Sequence, residues 1–307
     1  MASPALVGAF APVVTPFKPD GSADAARYLA HCRWLLAQGA GLAPFGTNSE
    51  ANSIPLAERM QLLEGLLAAG LPGARMLPGT GCCSAQETAQ LSRHALELGC
   101  AGVLMLPPFF YKGLSEEGLY AYYAEVIERI GDARLRLYLY HIPALTGVPI
   151  AHGVIERLLR DFPGLVVGIK DSSGDWANLQ VMLERFPELA IFPASESLVT
   201  RSRALGARGC ISATVNINPA GIAELVARWD QAEGPALQAA ADRVRQVVQA
   251  RPMIAALKEV LARELHDAQW RRVRPPLTPL DAPAAEALMA ELRAAGFAGV
   301  GAAGSAA

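Results

Sequence analysis

Lys170 ends the apolar run Leu165-Val166-Val167-Gly168-Ile169-Lys170, and a polar turn, Asp171-Ser172-Ser173-Gly174-Asp175, follows it directly. A short apolar run bounded by turn residues reads as a strand buried on both faces, as in parallel sheets. Lysine is seldom placed there. Taking an ammonium out of water favours the neutral amine, and a neutral amine attacks carbonyl carbon. Two ordinary alternatives account for the residue taken alone: an amine snorkelling from the strand end, or an ion pair with Asp171. Other residues favour chemistry. Tyr140 falls at the end of the strand-like run 136–141, and Thr47 with Asn48 lies in the loop after the short apolar segment 41–45. An amine, a phenol and a hydroxyl on one face would suit an enzyme that forms imines.

The elements that must position these residues alternate along most of the chain. Strand-like segments at 6–14, 41–45, 75–80, 102–106, 136–141, 165–170, 190–194 and 209–213 are each followed by a helical pattern. Such alternation implies a parallel sheet covered by helices, and eight units in about 230 residues suit a closed barrel. A doubly wound open sheet is the alternative, but no Gly-x-Gly-x-x-Gly follows the first strand. Beyond Ala232 the strands stop, and segments 235–249, 253–265 and 283–295 read as helices. The expected fold is therefore α/β, a (β/α)8 TIM barrel with a C-terminal helical extension. Its expected organisation is a catalytic barrel over residues 1–232, the extension over 233–298, and a loose small-residue tail over 299–307. Barrels of this kind place their active site at the C-terminal ends of the strands. Thr47, Asn48, Tyr140 and Lys170 all fall there.

Composition excludes several other classes. With 307 residues, 52% hydrophobic and 18% charged, the chain suits a large packed core and not a disordered protein. A net charge of −2 gives no attraction to nucleic acid or an anionic membrane surface. The first residues lack the basic region of a signal peptide, and no apolar segment is long enough to span a bilayer. Cys32, Cys82, Cys83, Cys100 and Cys210 are odd in number and show neither zinc-site nor redox spacing, which suits reduced thiols in the cytoplasm. The five histidines form no i, i+4 pair, so no metal site is expected.

Several motifs in order carry a family resemblance. They are Ala11-Pro12-Val13-Val14-Thr15-Pro16-Phe17, Gly46-Thr47-Asn48-Ser49-Glu50-Ala51, Pro78-Gly79-Thr80-Gly81, Pro107-Pro108-Phe109-Phe110, Tyr140-His141-Ile142-Pro143, Gly168-Ile169-Lys170 and Gly209-Cys210-Ile211-Ser212. On these, from about Leu6 to Phe297, the chain resembles the dihydrodipicolinate synthase/N-acetylneuraminate lyase family of class I aldolases and lyases. The resemblance implies that Lys170 forms a Schiff base with C2 of pyruvate or another small 2-oxo acid. It implies that Tyr140 is the general acid and base. Thr47, with backbone N–H groups of the Thr47-Asn48 turn, would hold the substrate carboxylate and, as a third catalytic residue, relay protons. Ile211 would line the pocket beside the lysine, and Glu50 would anchor its loop. No metal or organic cofactor is implied, since the lysine itself supplies the electron sink. The family is usually a homotetramer, a dimer of tight dimers, with the Phe109-Phe110-Tyr111 segment suited to burial across an interface.

Departures from the family pattern bear on the second substrate. Members that make dihydrodipicolinate carry an arginine two residues after the proline of the Tyr-Asn-x-Pro motif, where this chain has Leu145. Leucine cannot supply the forked donors an arginine gives a carboxylate. The Ile142-Pro143-Ala144-Leu145-Thr146-Gly147 run is closer to N-acetylneuraminate lyases, yet of their sugar-binding Asp-Glu pair only Glu196 has a counterpart. The relay tyrosine that a neighbouring subunit lends aligns with Phe110, next to Tyr111, and Asn48-Ser49 replaces the usual hydroxyl residue and glycine. The expected function is a carbon–carbon or carbon–oxygen lyase or aldolase acting through a lysine Schiff base. Alternatives are a genuine 4-hydroxy-tetrahydrodipicolinate synthase, an N-acetylneuraminate lyase-like enzyme, a 2-keto-3-deoxy sugar acid aldolase or dehydratase, and a 2-oxo acid-binding sensor or pseudoenzyme.

Overall fold

A computed structural model describes residues 6–301. Among them are seven strands: β1 (Gly8–Ala11), β2 (Gly41–Leu42), β3 (Val103–Met105), β4 (Leu137–His141), β5 (Val166–Asp171), β6 (Ala190–Pro193) and β7 (Gly209–Ile211). The chain divides into two compact units.

The first unit takes in residues 72–194 and 201–209 and holds a four-stranded parallel sheet in the order β3-β4-β5-β6. Its strands are short, apolar and buried on both faces, as a helix-covered parallel sheet requires. Helix starts follow local capping chemistry. Ser115 accepts from Gly118 N at 3.1 Å to open the helix Glu116–Ile130, and Asp175 accepts from Ala177 N at 2.9 Å to open Trp176–Arg185.

The segment 75–80, expected to be a strand, forms only in part. Gly73–Arg75 is a 3-10 turn, and the extended stretch after it makes a single bridge, Gly79 to Leu104. Pro78 has no N–H to donate, so it contributes only its carbonyl, which accepts from Leu104 N at 2.9 Å. Gly81 continues past that bridge because a Cβ there would lie 2.4 Å from Leu106 N.

The second unit takes in residues 8–71, 195–200 and 210–301 and holds the sheet β2-β1-β7, in which β1 and β2 run parallel. The first strand is shorter than the expected 6–14. Pro12 interrupts it, and Val14 N donates to the Asn216 side chain at 3.0 Å instead of to a neighbouring strand. The C-terminal helices are Gly234–Gln249, Met253–Glu264 and Ala282–Ala294, close to the expected bounds. Their apolar residues, among them Val244, Val248, Leu257, Leu261 and Leu288, are buried. Of the expected tail, residues 302–307 lie outside the described residues. Val300 is buried, and its N–H donates to Glu264 Oε2 at 3.4 Å.

Candidate active site

Adjacent strands β4 and β5 set Tyr140 directly opposite Lys170. Partnered residues in a parallel pair share a face, so the phenol and the amine meet. Lys170 Nζ donates to Tyr140 Oη at 3.1 Å and lies 4.2 Å from the centre of the tyrosine ring. Both residues are only 3% exposed. One pleat below, Tyr138 pairs with Gly168, and β6 places Phe192 opposite Lys170. A Cβ at Gly168 would stand 2.3 Å from the Tyr138 ring, so the glycine makes room for an aromatic floor under the lysine. An amine and a phenol in contact over apolar rings form a nucleophile with a proton donor and acceptor beside it.

The ion-pair alternative for Lys170 fails on strand alternation. Asp171 projects to the opposite face from its neighbour, where its strand partner is His141. His141 Nε2 stands 3.9 Å from Asp171 Oδ1, and Ile150 N donates to His141 Nδ1 at 3.1 Å. Accepting that bond leaves the ring proton on Nε2. Burial, with the nearby His152 charge adding to it, pushes His141 down to about 4. Burial also raises the Asp171 carboxyl, against the two Ser173 hydrogen bonds that lower it. The His141–Asp171 layer escaped sequence reasoning, although each residue directly follows a candidate site residue.

The loops of this unit hold the other expected contacts. Phe110 and Tyr111 are 72% and 71% exposed, with their rings edge-on at 5.3 Å, and Leu145 is 65% exposed. Lys112 connects the two loops: its ammonium donates to the Phe109 carbonyl and, at 2.6 Å, to the Thr146 carbonyl. Leu145 sits in the one-turn helix Pro143–Thr146, which ends at Gly147 in the left-handed region with φ of 64°.

The second unit carries Thr47, Asn48, Ile211 and Glu196. Thr47 and Asn48 are half-buried in the 3-10 turn Thr47–Ser49. Ser49 beneath them is buried; its carbonyl accepts from Thr15 Oγ1 at 2.8 Å and its hydroxyl from Gly46 N at 3.3 Å. Glu50 is buried and anchors the loop, as expected, through the Lys258 ammonium and through Arg274 N at 2.8 Å. Ile211 is buried at the end of β7. Glu196 is also buried, and its carboxylate accepts from the Ser212 and Thr214 hydroxyls. Arg245 Nη1 approaches the same carboxylate at 3.4 Å and donates to Ser212 Oγ at 3.0 Å. Glu196 is thus already bonded within the protein. Sequence reasoning did not find Arg245, Ser212 or Lys258 as the partners of these glutamates. Among the described residues, no group of three or more His, Cys, Asp or Glu side chains could hold a metal ion. No helix among them is long and apolar enough to cross a membrane.

Known proteins share both the sequence and the structure. The sequence profile of the Dihydrodipicolinate synthetase family matches residues 5–295. A DapA-like lyase of Chloroflexus aurantiacus is 36% identical over 214 residues, 69% of this chain and 71% of its own length. The crystal structure of dihydrodipicolinate synthase from Agrobacterium tumefaciens superposes with a TM-score of 0.85 at 30% identity, covering 94% of this chain and 99% of that one. YagE, a prophage protein of the dihydrodipicolinic acid synthase family from E. coli K12 solved with pyruvate, has a TM-score of 0.85 at 26% identity over 95% and 99% of the two chains. With its parallel strands and C-terminal helices, the fold is the (β/α)8 barrel with a helical extension.

Proposed function

Starting from the dihydrodipicolinate synthetase family of lyases, to which this chain belongs, we propose that Lys170 forms a Schiff base with pyruvate or a related small 2-oxo acid. The Lys170–Tyr140 contact of 3.1 Å carries this reading. The neutral amine adds to C2, water leaves, and the protonated imine draws electrons from C3. Loss of a C3 proton or cleavage of the C3–C4 bond then gives an enamine, which the reverse step traps with an aldehyde. Tyr140 passes the protons, since its oxygen already touches the amine nitrogen. Thr47 and the N–H groups of the Thr47-Asn48 turn take the carboxylate. Ile211 lines the pocket, with Leu145 on the side of the second substrate, while the Glu196 carboxylate is taken up by Ser212, Thr214 and Arg245. No cofactor takes part, because the imine is the electron sink. The pyruvate complex of the E. coli K12 relative supports the choice of first substrate.

The working form in this reading is a cytoplasmic homotetramer, a dimer of dimers. Tyr111, or Phe110 beside it, reaches a neighbouring copy; the exposure of both rings in one chain favours this. Light scattering that finds a monomer at micromolar concentration sinks the shared-site arrangement. Leu145 in place of an arginine favours a second substrate without a carboxylate at that position. A genuine 4-hydroxy-tetrahydrodipicolinate synthase is the second reading, since relatives carry that name. Efficient turnover of pyruvate with aspartate semialdehyde separates the two.

The main test is borohydride trapping with pyruvate, followed by peptide mass mapping. An adduct on Lys170 is expected. Its absence, in conditions where a known imine-forming aldolase is trapped, rules the mechanism out. A panel of 2-oxo acid aldols and 3-deoxy-2-oxo sugar acids, read by NMR for released pyruvate, then identifies the second substrate. Binding without turnover across that panel would favour the sensor reading.

A further inference from the structure

We propose that Lys258, on the C-terminal helix Met253–Glu264, is a positioning residue for the loop of Thr47 and Asn48: through Glu50 it fixes the N–H groups and hydroxyl that receive the 2-oxo acid carboxylate. The inference rests on the proposed carboxylate role of that loop.

Glu50 is the pivot of the loop. Its N–H closes the turn Thr47–Ser49 on Thr47 O at 3.0 Å, and its carbonyl opens the next turn by accepting from Ser53 N at 2.8 Å. Between the two turns its backbone lies in the left-handed region, with φ of 58°, which a non-glycine residue holds only when its surroundings demand it. The demand comes from the extension. Glu50 accepts from the Lys258 ammonium through Oε1 and from Arg274 N through Oε2 at 2.8 Å, so both carboxylate oxygens are tied. Lys258 in turn donates to the Arg272 carbonyl at 2.7 Å. Arg274 Nη1 bonds the Ser53 carbonyl at 2.8 Å, on the far side of the second turn. Both cations stand over the Phe17 ring, Lys258 Nζ 4.4 Å and Arg274 Cζ 4.6 Å from its centre.

Lys258 and Glu50 are fully buried, and such a pair is a weak source of stability because both charges lose their hydration. It is a strong source of geometry, since the charges must meet in one arrangement or remain uncompensated. Burial lowers Lys258 to about 8, with Glu50 opposing that shift. The extension therefore reaches the loop through directional contacts, of which the Lys258 ammonium is the one buried charge set against Glu50.

Borohydride trapping over a series of pyruvate concentrations tests the role with Lys258→Met and with the double variant Glu50→Gln/Lys258→Met. Lys258→Met should raise the half-saturating pyruvate concentration about tenfold or more, since a misplacement of about 1 Å costs on the order of 100-fold. The saturating trapping rate should stay within about threefold of the parent. The double variant removes both charges, so its Tm should recover while its pyruvate half-saturation stays raised. Recovery of Tm together with parental half-saturation would reduce the pair to a structural contact and overturn the proposal. Amide hydrogen exchange of the unaltered protein gives a reading free of any folding defect in the variants. Amides 49–51, which donate to the Gly46 and Thr47 carbonyls, should be protected on the scale of the Met253–Glu264 helix, and exchange at unprotected-loop rates would overturn the clamp. Failure of the underlying reading looks different: no adduct forms on Lys170 in the parent, or Thr47→Ala leaves half-saturation unchanged while the parent traps normally.

Discussion

Replacing Tyr140 by phenylalanine removes one oxygen and keeps the ring that lies 4.2 Å from Lys170 Nζ. The lost atom accepts the lysine hydrogen bond at 3.1 Å, so the amine and its proton-transfer partner are separated with little change of shape. A positioned general acid and base contributes on the order of 100- to 10,000-fold, and 100-fold is about 2.7 kcal/mol. Loss of a single net hydrogen bond costs stability only about 1 kcal/mol, or a Tm shift of about 2–4 °C. Activity should therefore fall far more than stability. Proton exchange at C3 measures this without knowledge of the second substrate: enamine formation in deuterated water exchanges the pyruvate methyl protons, and NMR follows their loss. Tyr140→Phe should slow that exchange at least about 100-fold at saturating pyruvate while melting within a few degrees of the parent. An exchange rate within threefold of the parent would refute the assignment of Tyr140 as the proton carrier.

Other expectations follow from single contacts. Leu145→Arg should restore forked donors and raise kcat/KM for aspartate semialdehyde by about tenfold or more, a charged hydrogen bond being worth about 1.5–3 kcal/mol; steady-state kinetics that show no gain refute the carboxylate argument. Gly168→Ala brings a methyl group to 2.3 Å from the Tyr138 ring and 2.6 Å from the Ala190 carbonyl, and should lower stability by about 1–3 kcal/mol in urea unfolding. A neutral effect would mean that the sheet yields where it looks tight. Acid should destabilise the fold between pH 6.5 and 4. His31 and His141 are both pushed down to about 4 by burial, so the unfolded chain binds protons there that the folded chain does not. Each contributes on the order of 3 kcal/mol that is present above pH 6.5 and lost as pH falls. Asp171, raised by burial, works in the opposite direction just above its ordinary value. Urea midpoints at pH 7.5 and 4.5 measure the loss, and His141→Gln should reduce it by about half; an unchanged difference refutes the attribution.

Local chemistry made much of the fold legible. The polar turn 171–175 announces a helix start because the Asp175 side chain accepts from a free N–H group of the first turn, and the structure begins Trp176–Arg185 there. The helices of the C-terminal extension fall within a residue or two of their expected bounds because their apolar spacing is local. The segment 75–80 pairs only through one bridge because one proline took away a ladder donor, a detail that apolar runs do not register. Among the site residues, Lys170 and Tyr140 were visible because an amine and a phenol are unusual at the ends of buried strands. Glu50 could be read as an anchor, but its anchor could not be named.

The sequence by itself determined which residues could do chemistry and where most strands and helices fall, since type, period and capping act over a few residues. Only the tertiary structure decided whom each group meets. Strand register put Lys170 against Tyr140 and sent Asp171 to the other face against His141. Chain separation hid the remaining pairs: Lys258 meets Glu50 across 208 positions and Arg245 meets Glu196 across 49. Whether a buried charge serves substrate or structure depends on what stands opposite it. Residues so far apart in the chain come together only through packing, which no local pattern records.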